Sequence, residues 1–562
     1  MRNHRPQEPP LSTEQEHSVD TEDTLQQTNR KISETYEAHI YTSNAFPFSS
    51  PGHLRAAAYL WGLETVPLES ARVLEIGCAG GGNLLPFAVA YPNAHVVGID
   101  LASGQVAQGQ QVVQALGLQN LHLQAMSLTD ITPEFGQFDY IVAHGVFSWV
   151  PPEVRQAMMR VMRENLSPKG VGYISYNTYP GWKAGDIVRD AMMLHSHSVE
   201  KAEDRLPAAK AMLNLLSEGI AANNPLAPSL RAAVAQLRKH SDFYIAHEYL
   251  EIFNNPCYLL EFVNMADQHG VVHVGDADPH QEMAATYGQN VQLNHSLIAL
   301  GQPRVMRQQY LDFAMGRNFR KSLIVHQERA GQILDTPHIE ALAELRWAGH
   351  FTETDAPENS PKNQRSFRNH KNHPLHTNEA PVLAVVQALS RVWPASLDFE
   401  SLVEAAKADL PPGQAEDDAA GRKAVLGALQ TLFRLNSLRY TLEPSPYETG
   451  AVAGQGDAPA LIPGIAHILE QRKDPGFGVG TYNRWHDSVN LNLQEAEAWL
   501  LPHIDGSNSR KQLATLLRDA LSAGKVPNTN GQLLKGQRNL DAVADKIVGK
   551  LLDLLKRQGV LV

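Results

Sequence analysis

The sequence predicts an α/β chain: a mostly parallel sheet wound by helices, carrying a helical insertion and followed by mainly helical, winged-helix-like modules. Three observations carry that prediction. From Val73 onward, apolar runs of strand length alternate with segments of helical spacing, the pattern of a parallel sheet with right-handed crossovers. Between residues 184 and 256 the β period disappears, and it returns in VVHVGDA and FRKSLIVH. Beyond residue 380 apolar residues recur at helical spacing.

The elements follow in order. ARVLEIG is a continuous apolar strand that ends in a glycine cluster, and NLLPFAVAYP is a helix that stops at a proline. HVVGID is a second buried strand. Ser103 to Gly117 has helical spacing, NLHLQAM follows as a third strand and FDYIVAHG as a fourth. PEVRQAMMRVMRENLSPKG is an amphipathic helix with Met159, Met162 and Leu166 toward the core, and GVGYISYNTYPG is the fifth strand. With the two strands after the insertion, the sheet has seven. Residues 1–30 are polar and expected to form a disordered leader; the sheet core runs 31–183, the helical insertion 184–256, and the return to the sheet 257–351. Residues 352–380, nearly devoid of aliphatic side chains, are expected to be a linker. A helical winged-helix-like module (381–443), a second Gly/Pro-rich linker (444–489) and a C-terminal helical module (490–562) complete the chain.

Composition narrows the function. The 562 residues carry a net charge of −12, which argues against a binder of nucleic acid driven by phosphate contacts. Cys78 and Cys257 are the two cysteines, so no disulfide framework is expected and a reducing, cytoplasmic compartment is favoured. No run approaches the roughly 20 apolar residues of a membrane span, and no pattern of His and Cys has metal-ligand spacing.

The chemistry concentrates in VLEIGCAGGGN, residues 73–83, followed by GID at 98–100. A chain leaving a strand here must turn sharply. Gly77, Gly80, Gly81 and Gly82 lack the Cβ atoms that would block a ligand's approach. Asp100 ends the second strand, where its carboxylate can accept hydrogen bonds from a ribose diol. A nicotinamide fingerprint requires glycine where Ala79 stands. The alternative, an acidic residue one step before the turn, is met by Glu75 and Gly77. A carboxylate at position 75 suits a cofactor with a sulfonium and an amino-acid tail, whose ammonium it can pair, and S-adenosyl-L-methionine is therefore the expected cofactor. Cys78, Ala79, Asn83 and Leu101 belong to the same expected contact set. After strand three, Met126 either packs against the adenine or fills the core, Ser127 or Asp130 is expected to bond the adenine amine, and Leu128 belongs to the cofactor contact set. HGVFSWVP follows strand four, making His144 a cofactor contact and the general-base candidate, with Trp149 walling the substrate side. SYNTYPGWK follows strand five, making Tyr176 and Asn177 catalytic candidates and Tyr179 and Trp182 substrate-channel candidates.

VLEIGCAGGGNLLPFA, FDYIVAHGVFSWVP and SYNTYPGW resemble the motifs of bacterial methyltransferases that carry a methyltransferase regulatory domain, among them the rickettsial outer-membrane-protein lysine methyltransferases. HEYLEIFNNPCYLLEFVNMADQHG (247–270) is similar to the regulatory-domain signature and YLDFAMGRNFRKSLIVH (310–326) to its closing segment. IDGSNSRKQLATLL (504–517) is similar to the C-terminal helical region. The entry segment YEAHIYTSNAFPFSSPGHLRAAAYLWGLE adds Tyr36, Tyr41, Ser43 and Phe46, with Ala45 where the pattern carries proline. The resemblance implies that Tyr41, Glu75, Gly77, Asn83 and Asp100 contact the cofactor, that methyl passes to protein lysine amines, and that the protein is a homodimer. From the residues alone, a small-molecule methyltransferase or a cofactor-binding regulatory or scaffold protein stays open.

Overall fold

Aliphatic runs bounded by glycine become strands because their side chains fill both faces of a sheet covered by helices. The computed structural model describes residues 42–562 except 200, 252, 358–359, 362, 450–457, 475, 528–530 and 535–539. The expected leader and Tyr41 lie outside the described residues. The first half contains α1 (Pro51–Leu60), β1 (Arg72–Ile76), α2 (Leu85–Ala90), β2 (His95–Asp100), α3 (Ser103–Ala115) and β3 (Leu121–Ala125). It continues with β4 (Phe138–Ala143), α4 (Pro152–Glu164) and β5 (Leu166–Asn177). Four insertion helices follow: α5 (Lys183–Ser196), α6 (Ala202–Ser217), α7 (Ala227–Leu237) and α8 (Asp242–Leu250). The sheet resumes through α9 (Leu259–Gln268), β6 (Val271–Asp276), α10 (Gln289–Ile298), α11 (Arg304–Met315) and β7 (Phe319–His326).

These strands form one seven-stranded sheet in the order β3-β2-β1-β4-β5-β7-β6. The strands from β1 to β5 pair in parallel, and β7 runs antiparallel between β5 and β6. The order reverses between β1 and β4, which opens a crevice at their carboxyl ends. Val73, Tyr140, Val142 and Tyr173 pack on one face with Leu54, Phe87 and Val106 of the first three helices. Leu74, Ile76, Ile141, Ile174 and Tyr176 pack on the other with the methionines of α4 and Phe262 of α9. The helix expected to run through Lys169 stops at Glu164 instead. Asn165 ends it by donating its side-chain amide to the Thr132 and Gly136 carbonyls, and Leu166 already belongs to β5.

Residues 352–380, expected to be a linker, hold most of a small antiparallel sheet. After β8 (Arg346–Ala348), the strands β9 (Phe351–Thr354), β10 (Arg365–Asn369) and β11 (Pro374–Thr377) pair in the order β11-β10-β9. A sheet solvated on one face needs few apolar residues; here Phe351, Phe367 and Leu375 face the core of the following unit. That unit comprises α12 (Ala380–Val392), α13 (Phe399–Ala406), α14 (Asp418–Arg434) and β12 (Arg439–Thr441), which pairs with β8. The second expected linker is packed as well. It contains α15 (Ile465–Gln471), and Ile462, Ile465, Val479 and Tyr482 are buried in a core shared with the sheet domain. The same core takes in α16 (Glu495–Leu500), α17 (Arg510–Ser522) and α18 (Asp541–Arg557).

Candidate active site

β1 and β2 end side by side, so the chain leaving β1 must turn at once. Gly77 turns it with φ +75° and Ala79 with φ +49°, while the N–H groups of Gly77 and Cys78 donate to the Ile99 carbonyl at 2.8 and 3.0 Å. Beyond this turn lies a cavity of about 720 Å³ at the carboxyl ends of the strands. Glu75, Gly77, Cys78, Ala79, Asn83 and Asp100 line it from the first two strand ends. Leu101, Met126, Ser127 and Leu128 line the next stretch, and His144 and Trp149 follow β4.

Glu75 defines the electrostatics. Its side chain is buried, and Oε1 accepts a hydrogen bond from Asn83 Nδ2 at 2.8 Å. Oε2 is buried with no partner. Burial, with the nearby Asp100 charge adding to it, pushes the carboxyl up to about 8 against the pull of Asn83. A buried carboxyl with an open oxygen at a cavity wall favours a cation in that cavity. Asp100 is also raised by burial, while the backbone N–H groups bonded to it pull the other way. Its Oδ2 accepts from Ala79 N–H and its Oδ1 from Ala102 N–H, each at 2.8 Å. The Leu101 N–H adds a third bond, and a carboxylate with about four acceptor sites keeps room for a hydroxyl group.

The other glycines of the turn serve a different purpose from the one expected. A Cβ on Gly82 would stand 2.0 Å from the Ser43 carbonyl oxygen, and one on Gly81 2.9 Å from Leu123 Cδ1. Their missing side chains admit the protein's own N-terminal segment and core, not a ligand. Ser43 Oγ accepts from Gly82 N–H at 2.8 Å, and Phe46 N–H donates to Asn83 Oδ1 at 2.8 Å. Thr42, Ser43, Asn44 and Phe46 thereby roof the cavity.

His144 lines the cavity, where its position after β4 put it. Its Nδ1 sits 2.9 Å from Ser175 Oγ, and its ring centre is 4.3 Å from that of Phe46. Burial, with the Lys321 charge adding to it, pushes the imidazole down to about 3. Strand parity displaces Tyr176: it points to the opposite face, stacks on Phe262 at 4.4 Å and meets Ser322 Oγ at 3.0 Å. Asn177 stands behind the cavity, donating to Asn254 Oδ1 at 3.1 Å. Tyr179 lies under Lys183 Nζ at 3.5 Å, and Trp182 packs on Tyr249 in the insertion core. None of these four lines the cavity, and neither does Asp130. Sequence reasoning missed Thr42, Asn44, Gln105 and Phe319 and, from the insertion, Ser241, Tyr244, His247 and Glu248. For His247 and Glu248 the signal was the segment 247–270, whose resemblance says nothing of their chemistry; Ser241 and Tyr244 lie before it. Among the described residues, no three His, Cys, Asp or Glu side chains are grouped to hold a metal ion.

Known proteins fit this geometry. Residues 73–170 match the methyltransferase domain family, 241–326 the predicted methyltransferase regulatory domain, and 459–560 the PKMT C-terminal winged helix domain. The uncharacterized protein RP028 of Rickettsia prowazekii (strain Madrid E) is 37% identical over 245 residues, which cover 43% of this chain and 97% of that protein. The chain belongs to the S-adenosylmethionine-dependent methyltransferases that carry a regulatory domain. The uncharacterized protein RP789 of the same organism is 38% identical over 296 residues, 52% of this chain; the match spans about half of that relative, 53% of its length. The solved structure of PKMT2 from Rickettsia typhi in complex with AdoHcy is 25% identical, with a TM-score of 0.75, covering 93% of this chain and 99% of that one. The winged-helix match of this methyltransferase begins at residue 459, inside the stretch expected to be a linker. S-adenosylmethionine is its cofactor, and the residues present fit it: the open, buried Glu75 Oε2 could take the ammonium and Asp100 the ribose, while Leu101, Met126, Ser127 and Leu128 line the stretch that could take the adenine.

Proposed function

We propose that this methyltransferase moves methyl from S-adenosylmethionine to the ε-amine of lysine in proteins, as the name of PKMT2 implies for that structural relative. When bound, the cofactor supplies a methyl group already activated on a sulfonium sulfur. Glu75 and Asp100 hold it, and the roof from Thr42 to Phe46 excludes water. The observation that carries the reading is the cavity's second wall: beyond the strand ends it continues to Tyr244, His247 and Glu248 of an inserted helix. That is a place for an acceptor, built from a part of the chain that cofactor binding does not require. The resemblance adds a homodimer, and Cys78 and Cys257, both free, fit a cytoplasmic setting. Among the described residues no helix is long and apolar enough to cross a membrane.

The test is transfer of labelled methyl from S-adenosylmethionine into lysate of the source cell, separated by size, with digestion and mass spectrometry of the labelled protein. Label on lysine is the expected result. Label confined to small molecules overturns the protein reading, and label on another side chain overturns the lysine reading.

A further inference from the structure

Four residues of the cavity wall arrive from the helical insertion, and local chemistry fixes where they stand. Ser241 caps α8 by accepting from Tyr244 N–H at 3.2 Å. Helical spacing then puts Tyr244, His247 and Glu248 on one face, toward the cavity. The far end of α8 is pinned to the sheet domain. Asn254 Nδ2 donates to the Glu248 carbonyl at 2.9 Å and Asn254 Oδ1 accepts from Asn177 Nδ2 at 3.1 Å, while Asn255 N–H donates to the Ser148 carbonyl at 3.0 Å. Trp149 stacks on His247, ring centres 5.7 Å apart and 11° from parallel, and its indole Nε1 is buried without a partner. The wall is therefore rigid, aromatic and, at Glu248, acidic.

We propose, resting on the lysine reading above, that Glu248 with Trp149 and Tyr244 forms the seat of the acceptor: the carboxylate pairs with the lysine ε-ammonium and takes its proton, and the aromatic rings wall the alkyl chain. The balance is as follows. Glu248 accepts one proton from the ammonium, leaving a neutral amine. The amine lone pair forms the N–CH₃ bond as the S–CH₃ bond breaks, and that bond's electron pair stays on sulfur as a neutral thioether. The positive charge passes to nitrogen as a methylammonium, and Glu248 returns its proton to water. Two features suit Glu248 to this. Burial raises its pKa above the ordinary carboxylate range, against the charge of His247 and a side-chain hydrogen bond from Asn177. Cations are favoured at aromatic faces in desolvated sites.

The experiment uses the full chain loaded with S-adenosylhomocysteine and the probe n-butylammonium, with n-butanol as the uncharged counterpart. Binding is read by saturation-transfer NMR in wild type and Glu248→Gln. Wild type is expected to bind butylammonium in preference to butanol, and Glu248→Gln to bind it about tenfold more weakly. S-adenosylhomocysteine affinity should be unchanged, turnover onto lysine should fall about 100-fold, and Glu248→Asp should restore part of it. Equal butylammonium binding with intact lysine turnover in Glu248→Gln would overturn the seat and leave the lysine reading standing. Loss of S-adenosylhomocysteine binding in Glu248→Gln would also overturn it, by showing that the residue acts through the fold. Wild type that labels no lysine removes the reading on which the seat rests.

Discussion

Glu75 places the greatest constraint on what the cavity holds, because its open oxygen is buried and its carboxyl is raised to about 8. Below that pH the free protein keeps it protonated; a bound ammonium favours the carboxylate. Binding of S-adenosylhomocysteine at pH 7 should therefore expel a proton, and affinity should climb as pH rises toward about 8. Calorimetry in two buffers of different ionisation enthalpy measures this. Binding without net proton release would separate Glu75 from the ammonium. Glu75→Gln should weaken binding by roughly 1.5–3 kcal/mol, the range for hydrogen bonds to charged groups. Glu75, Gly77 and Asp100 were legible in the sequence because each stands at the end of a strand whose length and order the apolar pattern reveals. Tyr176 was misplaced because neighbours in sequence alternate between faces of a strand. Ser175, one residue earlier, is the one that meets His144. The low pKa of His144 was hidden for a different reason: burial under Phe46 is a property of distant segments.

At the scale of elements, β7 lies between β5 and β6 in the sheet and carries an ion network into the core. Arg320 is fully buried on it. Its Nε and Nη2 meet Asp312 of α11 at 2.8 Å each, and its Nη1 meets Glu282 at 3.0 Å. Removing the cation leaves two buried carboxylates without it, so Arg320→Met should destabilise the protein by about 3–5 kcal/mol. Urea unfolding followed by circular dichroism checks this. A loss below about 1 kcal/mol would mean that water or another cation replaces the guanidinium. The seven strands were readable because both faces of this sheet are buried, which writes continuous apolar runs into the sequence. The strands from Phe351 to Thr377 were not: β10 buries Ser366, Phe367 and Asn369 and exposes Arg368. A strand whose buried positions include polar side chains gives the composition of a loop.

At the scale of the whole molecule, three distant parts of the chain meet over one cavity. The N-terminal segment lies between the glycine turn and the C-terminal region: Ser43 N–H donates to the Gly478 carbonyl at 2.7 Å, and Gly480 N–H to the Ser43 carbonyl at 2.8 Å. Ser488 Oγ adds a bond to Asn44 at 3.1 Å. The insertion supplies the far wall through α8, 165 positions beyond Gly77 at its first residue, Asp242. This meeting could not be read from the sequence. The signals for it are backbone hydrogen bonds and missing Cβ atoms, and the stretch 459–480, which puts Ile462, Ile465, Ile468 and Val479 into the core, has the glycine and proline content of a linker. The central claim is that one cofactor, bound at the ends of β1 and β2, is enclosed by all three parts. Amide hydrogen exchange of the full chain with and without S-adenosylhomocysteine tests it most directly. The account predicts added protection together at 43–49, 76–83, 100–105 and 241–248, with none in α12 to α14. Protection at the glycine turn that leaves 43–49 and 241–248 unchanged, or protection elsewhere altogether, would contradict it.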